Sequence, residues 1–225
     1  MHVSPVGSVA LRRCALGALL LLLVGTALGC TSIAGKKTEA DKLTAPKLGA
    51  CRTVTPKDVE QPSNAAPIVA CTKNHTAETF AIGTFSTALA GASYQSTELG
   101  RYIFKTCGPA FLRFLGGDES LADRSLLSWA WFRPSEAAWA KNARWYRCDV
   151  VGGPSRASSY RALPQTARAF LSRKPPEDWM MCARGKTVAG SAKVPCTATH
   201  DWRAVTTIKL GQPNDPYPGD RLAQI

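Results

Sequence analysis

A short motif that occurs twice constrains the fold of this chain more than any other feature. Val69-Ala70-Cys71-Thr72-Lys73-Asn74-His75-Thr76 returns as Val194-Pro195-Cys196-Thr197-Ala198-Thr199-His200-Asp201, with valine, cysteine, threonine and histidine at identical spacing. Each copy precedes an alternating run typical of a β-strand, at residues 79–85 and 204–210. The two histidines lie 125 positions apart, about one domain length. The sequence therefore predicts two copies of one small module.

The N-terminus has the pattern of an export signal. Arg12 and Arg13 precede an uncharged apolar run that ends in Ala27-Leu28-Gly29-Cys30, so residues 1–29 are predicted to be a signal peptide. The final four residues resemble a bacterial lipoprotein box, with two positions in exchanged order, which predicts acylation of Cys30. Simple cleavage and an uncleaved apolar anchor are the alternatives. In each case the remainder of the chain is exported.

The cysteine count agrees with export. Of eight cysteines, Cys14 leaves with the signal and Cys30 carries the lipid, so six can form disulfides in an oxidising compartment. In each motif copy a cysteine precedes the repeated one by a short loop. We therefore predict one of the fifteen possible pairings: Cys51 with Cys71, Cys107 with Cys148, and Cys182 with Cys196.

The chain is predicted to divide into four parts. After the signal, residues 30–49 are rich in lysine and lack apolar periodicity, which predicts a flexible, lipid-anchored tether. The first module spans residues 50–153. Residues 154–225 contain a turn-rich connector, a helix at 162–171, a strand near 179–182 and the partial second copy.

The first module is predicted to be a small α+β domain. An amphipathic helix begins after Ser96 or Thr97 and ends at Gly116-Gly117, with its aromatic face buried against strands 125–132 and 144–151. Ser135 is placed to cap a short helix between these strands. The predicted fold class is thus a disulfide-stapled antiparallel sheet with one main packed helix, followed by an incomplete second copy.

These residues resemble a known family. The spacing of Cys71, His75 and Glu78, followed by Cys107, by Trp139-x4-Arg144-x3-Cys148 and by Tyr217-Pro218-Gly219, is similar to that of the septum formation domain of actinobacterial envelope proteins. The resemblance implies an exported, often membrane-anchored and disulfide-bonded module with no established catalytic residues. The second copy departs from it, since Arg203 stands where the first copy has Glu78.

Two other functions are kept as alternatives. Cys71, His75, Cys196 and His200 would form a Cys2His2 zinc set, with Glu78 or Asp201 in support, if the cysteines were free thiols. An envelope hydrolase would pair His75 with Glu78 or His200 with Asp201, although the sequence has neither a nucleophile-elbow motif nor a glycine-rich phosphate loop. We favour a structural role in which each histidine binds the loop after the disulfide. We expect no catalytic residues, cofactor or metal.

The net charge of the chain indicates which partners it would attract. Without the signal, 26 basic and 16 acidic side chains give a formal charge of +10, which favours anionic wall polymers, headgroups or acidic proteins. Export makes nucleic acid an unsuitable partner. Four tryptophans offer either a glycan platform or, as we prefer, part of the core: Trp129, Trp131, Trp139 and Trp145. The predicted function is a non-catalytic binding or scaffold lipoprotein on the extracytoplasmic face of the plasma membrane, acting in septation with division or envelope proteins.

Overall fold

The long amphipathic helix forms where its sequence pattern predicts it. In the computed structural model, which describes residues 38–154, 157–188, 190–209 and 211, this helix is Thr97–Leu115. Ser96 Oγ accepts a hydrogen bond from the backbone N–H of Glu98, and Gly116 ends the helix at φ 73°, a left-handed conformation that favours glycine. The helix buries one face: Leu99, Ile103, Cys107, Phe111, Phe114 and Leu115.

The described residues form eight strands and four helices. The strands are β1 (Cys51–Arg52), β2 (Ile68–Val69), β3 (Ala77–Thr84), β4 (Ser128–Phe132), β5 (Trp145–Val151), β6 (Met181–Arg184), β7 (Ala192–Pro195) and β8 (Trp202–Arg203). The helices are α1 (Pro56–Val59), α2 (Thr97–Leu115), α3 (Glu119–Asp123) and α4 (Glu136–Ala140). No helix among these is long and apolar enough to cross a membrane. The predicted signal peptide, Cys30 and Tyr217-Pro218-Gly219 lie outside the described residues.

The first five strands form one antiparallel sheet in the order β2-β1-β3-β5-β4. Strand β5, which lies between β3 and β4, is buried along its whole length. Tyr146, Cys148 and Val150 belong to the large core that α2 completes, whereas the alternate residues Arg147 and Asp149 point to the opposite face. The α+β architecture with one main packed helix is therefore confirmed.

The second sheet repeats part of the first. Its order is β7-β6-β8, and Cys182 pairs with Val194 on one side and Arg203 on the other. In the first sheet Cys51 pairs with Val69 and Glu78, the equivalent positions of the motif. The repeat thus preserves both strand order and register.

Two predicted elements of the second half are wrong. Residues 162–171 are not helical, because their backbone N–H groups bond to other segments: Leu163 to His75, and Ala169 to Phe114. Strand β8 stops at Arg203, and residues 204–209 of the predicted strand 204–210 are not part of a strand. In the first copy the corresponding stretch pairs with β5, and the part of the second half that the structure describes has no equivalent strand.

Two strand boundaries also differ. Strand β4 begins at Ser128, since Ser125 forms a single bridge with Met180 of the second half. The strand predicted near Trp179 begins at Met181, after a 3-10 turn at Glu177–Trp179. The connector nevertheless buries Leu163, Ala167 and Leu171 in the main core.

Candidate functional site

The six cysteines form the three predicted disulfides. Cys51–Cys71 joins β1 to the loop after β2, Cys107–Cys148 joins α2 to β5, and Cys182–Cys196 repeats the first bond in the second sheet, with Cα separations of 5.3, 6.3 and 5.0 Å. The Cys2His2 zinc hypothesis is wrong as formulated, because the sulfurs of Cys71 and Cys196 are both committed to these bonds. The residues that the structure describes contain no cluster of three or more potential metal ligands.

The two motif histidines make the same contact. His75 Nδ1 donates to the carbonyl oxygen of Lys73, and His200 Nδ1 donates to that of Ala198, each at 2.8 Å. His75 is 1% exposed, and its Nε2 has no hydrogen-bond partner in the described structure. Each histidine therefore closes the turn that follows its disulfide, as the preferred structural role requires.

The acidic residues of the motif do not pair with these histidines. Buried Glu78 accepts hydrogen bonds from Thr166 Oγ1 at 2.9 Å and from the backbone N–H of Ala167 at 2.7 Å. Asp201 Oδ2 accepts from the backbone N–H of Gly185 at 2.8 Å. The base and acid pairs of the hydrolase alternative are therefore not assembled: Glu78 holds the connector, and Asp201 closes a turn.

Position 78 of the first copy and position 203 of the second have opposite charges and different partners. Arg203 forms an exposed ion pair with Glu177, at 2.8 Å, in the turn before β6. The hydrogen bond from Arg203 lowers the pKa of Glu177 and raises that of Arg203. The departure from the family pattern at Arg203 therefore has a local partner of its own.

A neutral cluster of four charged residues occupies the sheet face opposite α2. Arg52, Arg147 and Asp149 have side chains that are 0% exposed, and Glu39 is 11% exposed. Glu39 Oε2 lies 2.5 Å from Arg52 Nη2 and 3.3 Å from Arg147 Nη1. Arg147 Nε lies 3.0 Å from Asp149 Oδ2, an ion contact whose alignment is not that of a hydrogen bond. Two positive and two negative charges therefore balance.

Neutral partners add hydrogen bonds to this cluster. Thr79 Oγ1 accepts from Arg52 and donates to Asp149, both at 2.7 Å, and Asn64 Oδ1 accepts from Arg147 at 2.8 Å. Burial lowers the pKa of Arg147, which the charge of Asp149 partly offsets. Because the cluster is balanced and bonded, the module can hold two buried guanidinium groups.

The cluster corrects the boundary of the predicted tether. Residues 38–49 belong to the folded unit rather than to a flexible linker. Besides the ion pairs of Glu39, the Ala40 carbonyl accepts from Ser135 N–H at 2.8 Å and the Lys42 carbonyl accepts from Trp145 Nε1 at 2.9 Å. These contacts join positions about a hundred residues apart, which local composition does not reveal.

The tryptophans do not form a common platform. Trp139 and Trp145 are buried, and Trp131 is half-buried near Phe85 and the Arg133 guanidinium. Trp129 differs, since it is half-buried beside the 69% exposed ring of Phe104, with ring centroids 6.4 Å apart. The preference for core packing thus fits Trp139 and Trp145, whereas Trp129 faces an open groove.

This groove is the best candidate binding site in the described structure. It has a volume of about 1300 Å³ and lies between α2, α3, the start of β4 and the β6-β7 hairpin, so both halves of the chain contribute. Phe104, Phe111 and Leu112 line it from α2, Trp129 from β4 and Met181 from β6. We call it the α2 groove.

Charged residues surround the α2 groove. The basic residues are Arg101 and Lys105 on α2 and Lys193 on β7, and the acidic residues are Glu119 and Asp123 on α3. Partial desolvation, and secondarily the charge of Glu119, raise the pKa of Asp123. The arrangement suits a ligand with an apolar body and a charged end.

Sequence reasoning did not find this groove. The available signal was on the polar face of α2, where Phe104 stands between Gly100 and Gly108 with basic neighbours. A Cβ atom added at either glycine would meet nothing within 4 Å. The opposite wall, however, comes from segments that only the tertiary fold brings to α2.

Comparison with known proteins places these observations in a family context. A family model described as Septum formation matches the chain over residues 12–133 and again over residues 48–224. No curated protein and no solved structure matches the chain.

Proposed function

Because this chain belongs to the septum formation family, we propose that it is an exported, membrane-anchored binding or scaffold protein that acts without catalysis at the cell envelope during septation. The observation that carries the proposal is the family match, whose two ranges together include both halves of the chain. The three disulfides support an oxidising, extracytoplasmic location. The family resemblance and the composition favour an actinobacterial host.

The lipoprotein-like sequence at Cys30 supports the anchor. Since residues from Thr38 onward belong to the folded unit, only eight peptide steps connect Cys30 to it. Eight residues span at most about 28 Å when fully extended. Acylation of Cys30 would therefore hold the domain close to the membrane, within reach of headgroups, anionic wall polymers and the extracytoplasmic parts of division proteins.

A non-catalytic role is supported by how the chain uses its reactive side chains. His75 and His200 close turns, Glu78 holds the connector and the six cysteines form disulfides. The α2 groove provides a surface for recognition. The excess of basic residues attracts anionic partners, and salt screening limits this attraction to short distances under physiological conditions.

Localisation and complementation in an actinobacterial host test this proposal. We expect a C-terminal fluorescent fusion to concentrate at septa, and palmitate labelling to appear in the wild type and disappear in Cys30→Ser. His200→Gln, which keeps a polar side chain at an exposed turn, should restore division to a deletion strain. Uniform distribution with normal septation in the deletion strain would refute the septal role. Complementation lost in a folded His200→Gln protein would refute the structural assignment of this histidine.

A further inference from the structure

The α2 groove combines an apolar lining with a charged rim that is basic along α2 and acidic along α3. Phe104 is 69% exposed at its mouth, against half-buried Trp129, and three lysine or arginine side chains surround it. An exposed apolar surface with a charged rim is typical of an interaction site. The chemical class of the ligand follows from the backbone groups, side chains and charges that line the groove.

The groove offers few backbone partners. Its long wall is α2, whose internal backbone groups are already bonded within the helix, and α3 forms part of the other wall. An extended peptide would leave its own N–H and C=O groups without partners along these two helices, at an energetic cost, and only the short edge strands β4 and β7 could pair with it. A hydrocarbon chain has no such groups, so it suits helical walls lined by apolar side chains.

The dimensions and charges define the ligand further. The α2 residues that line the groove run from Gly100 to Leu112, which corresponds to about 18 Å of helix, similar to an extended palmitoyl chain. Arg101 and Lys105 lie in the N-terminal half of α2, whereas the carboxylates are on α3, which follows its C-terminal end. An anionic headgroup would therefore be favoured at the Arg101 end and disfavoured near α3.

We propose that the α2 groove binds one acyl chain of an anionic phospholipid, with its phosphate held by Arg101 and Lys105. The apolar chain contacts Phe104 and Trp129 and runs along Gly108, where a missing side chain leaves room. This inference rests on the proposed membrane anchor, because only a chain held at the membrane would meet phospholipid continuously.

Native mass spectrometry of the full chain in detergent tests the proposal with two probes that share the same acyl chains, phosphatidylglycerol and phosphatidylcholine. We expect a saturable adduct of one phosphatidylglycerol and about tenfold weaker binding of phosphatidylcholine. Gly108→Leu should weaken the phosphatidylglycerol adduct by about tenfold, because the new side chain projects into open groove space without a clash in the folded protein. Gly91→Leu is the matched control, as it also has open space but lies outside the groove.

A charge pair tests the headgroup site. Arg101→Gln with Lys105→Gln should remove the preference for phosphatidylglycerol, whereas Lys57→Gln with Lys141→Gln, which removes the same charge from exposed positions outside the groove, should retain it. Quenching of Trp129 fluorescence by phosphatidylglycerol with brominated chains provides a second readout, and it should be lost in Gly108→Leu.

Three results would overturn the inference: no saturable adduct, equal adducts in Gly108→Leu and Gly91→Leu, or equal binding of the two lipids. Thermal melting identifies any variant that fails to fold. If lipid binding fails while palmitate labelling and septal localisation persist, the groove assignment is wrong and the proposed function stands. If labelling and localisation fail while the purified chain still binds phosphatidylglycerol, the proposed function is wrong and the groove assignment stands.

Discussion

Glu39 provides the sharpest test of the folded boundary at residue 38. Glu39→Gln keeps the shape of the side chain but leaves Arg52 and Arg147 with only Asp149 as a negative partner, so the buried cluster changes from neutral to a charge of +1. At an effective dielectric constant of 20, each ion pair at about 4 Å is worth about 4 kcal/mol before desolvation. Partial hydration of the guanidinium groups that lose this partner offsets part of the loss. We expect a net destabilisation of about 3 kcal/mol, the lower end for a broken buried ion pair.

Urea unfolding of the disulfide-intact protein measures this loss. With a slope of about 2 kcal/mol per molar urea, the unfolding midpoint of Glu39→Gln should fall by about 1.5 M. Glu60→Gln is the control, because Glu60 is an exposed carboxylate of the same module, and its midpoint should change by less than about 0.3 M.

A compensating change separates charge balance from lost packing. Arg52→Met added to Glu39→Gln returns the cluster to neutrality with Arg147 and Asp149 as its remaining charged pair. We expect the double variant to be at least as stable as Glu39→Gln. A loss of unfolding free energy below about 1 kcal/mol in Glu39→Gln, or an equal loss in Glu60→Gln, would refute the reasoning. Either result would support the original prediction that residues 38–49 belong to the flexible tether.

Three further predictions concern other parts of the structure. Replacing Cys107 and Cys148 by alanine should destabilise the fold by about 4 kcal/mol in urea unfolding, since this bond closes the longest of the three loops, with a sequence separation of 41. Glu78→Gln should release the connector, which limited proteolysis would detect as faster cleavage near residue 166. Asp123→Asn should raise stability at neutral pH and lose this advantage below pH 4, because a raised carboxyl pKa means that stability falls as pH rises through the folded-state pKa. Equal effects of Asp123→Asn at both pH values in thermal melts would contradict that assignment.

Local patterns predicted the elements whose interactions are close in sequence. The apolar spacing, Ser96 cap and Gly116 terminator identified α2, and period-two alternation identified β3, β4 and β5. The same reasoning failed at residues 162–171, which have helical spacing of Leu163, Ala167 and Leu171 but bond to other segments. Burial against α2 and the sheet outweighed the small free energy of helix propensity.

The candidate site was less accessible to sequence reasoning. The motif residues were identified from the sequence, and the structure gives each of them a structural contact, which for Glu78 is with the connector 89 positions away: Cys71, His75, Glu78, Cys196, His200 and Asp201. The α2 groove was missed because its walls come from α2, α3, β4 and the second sheet. Phe104 alone does not indicate a groove, since single exposed apolar residues are ordinary.

The sequence by itself determined that one motif occurs twice and predicted the disulfide pairing, because valine, cysteine and histidine recur at the same spacing and a second cysteine precedes each copy by a short loop. Only the tertiary structure decided where the folded unit begins, how the connector packs and where the groove opens. Glu39 contacts Arg147 across 108 positions, and neither residue reveals this pairing in its local sequence. The physical reason is that a buried charge requires a partner of opposite charge nearby in space, whatever the distance along the chain.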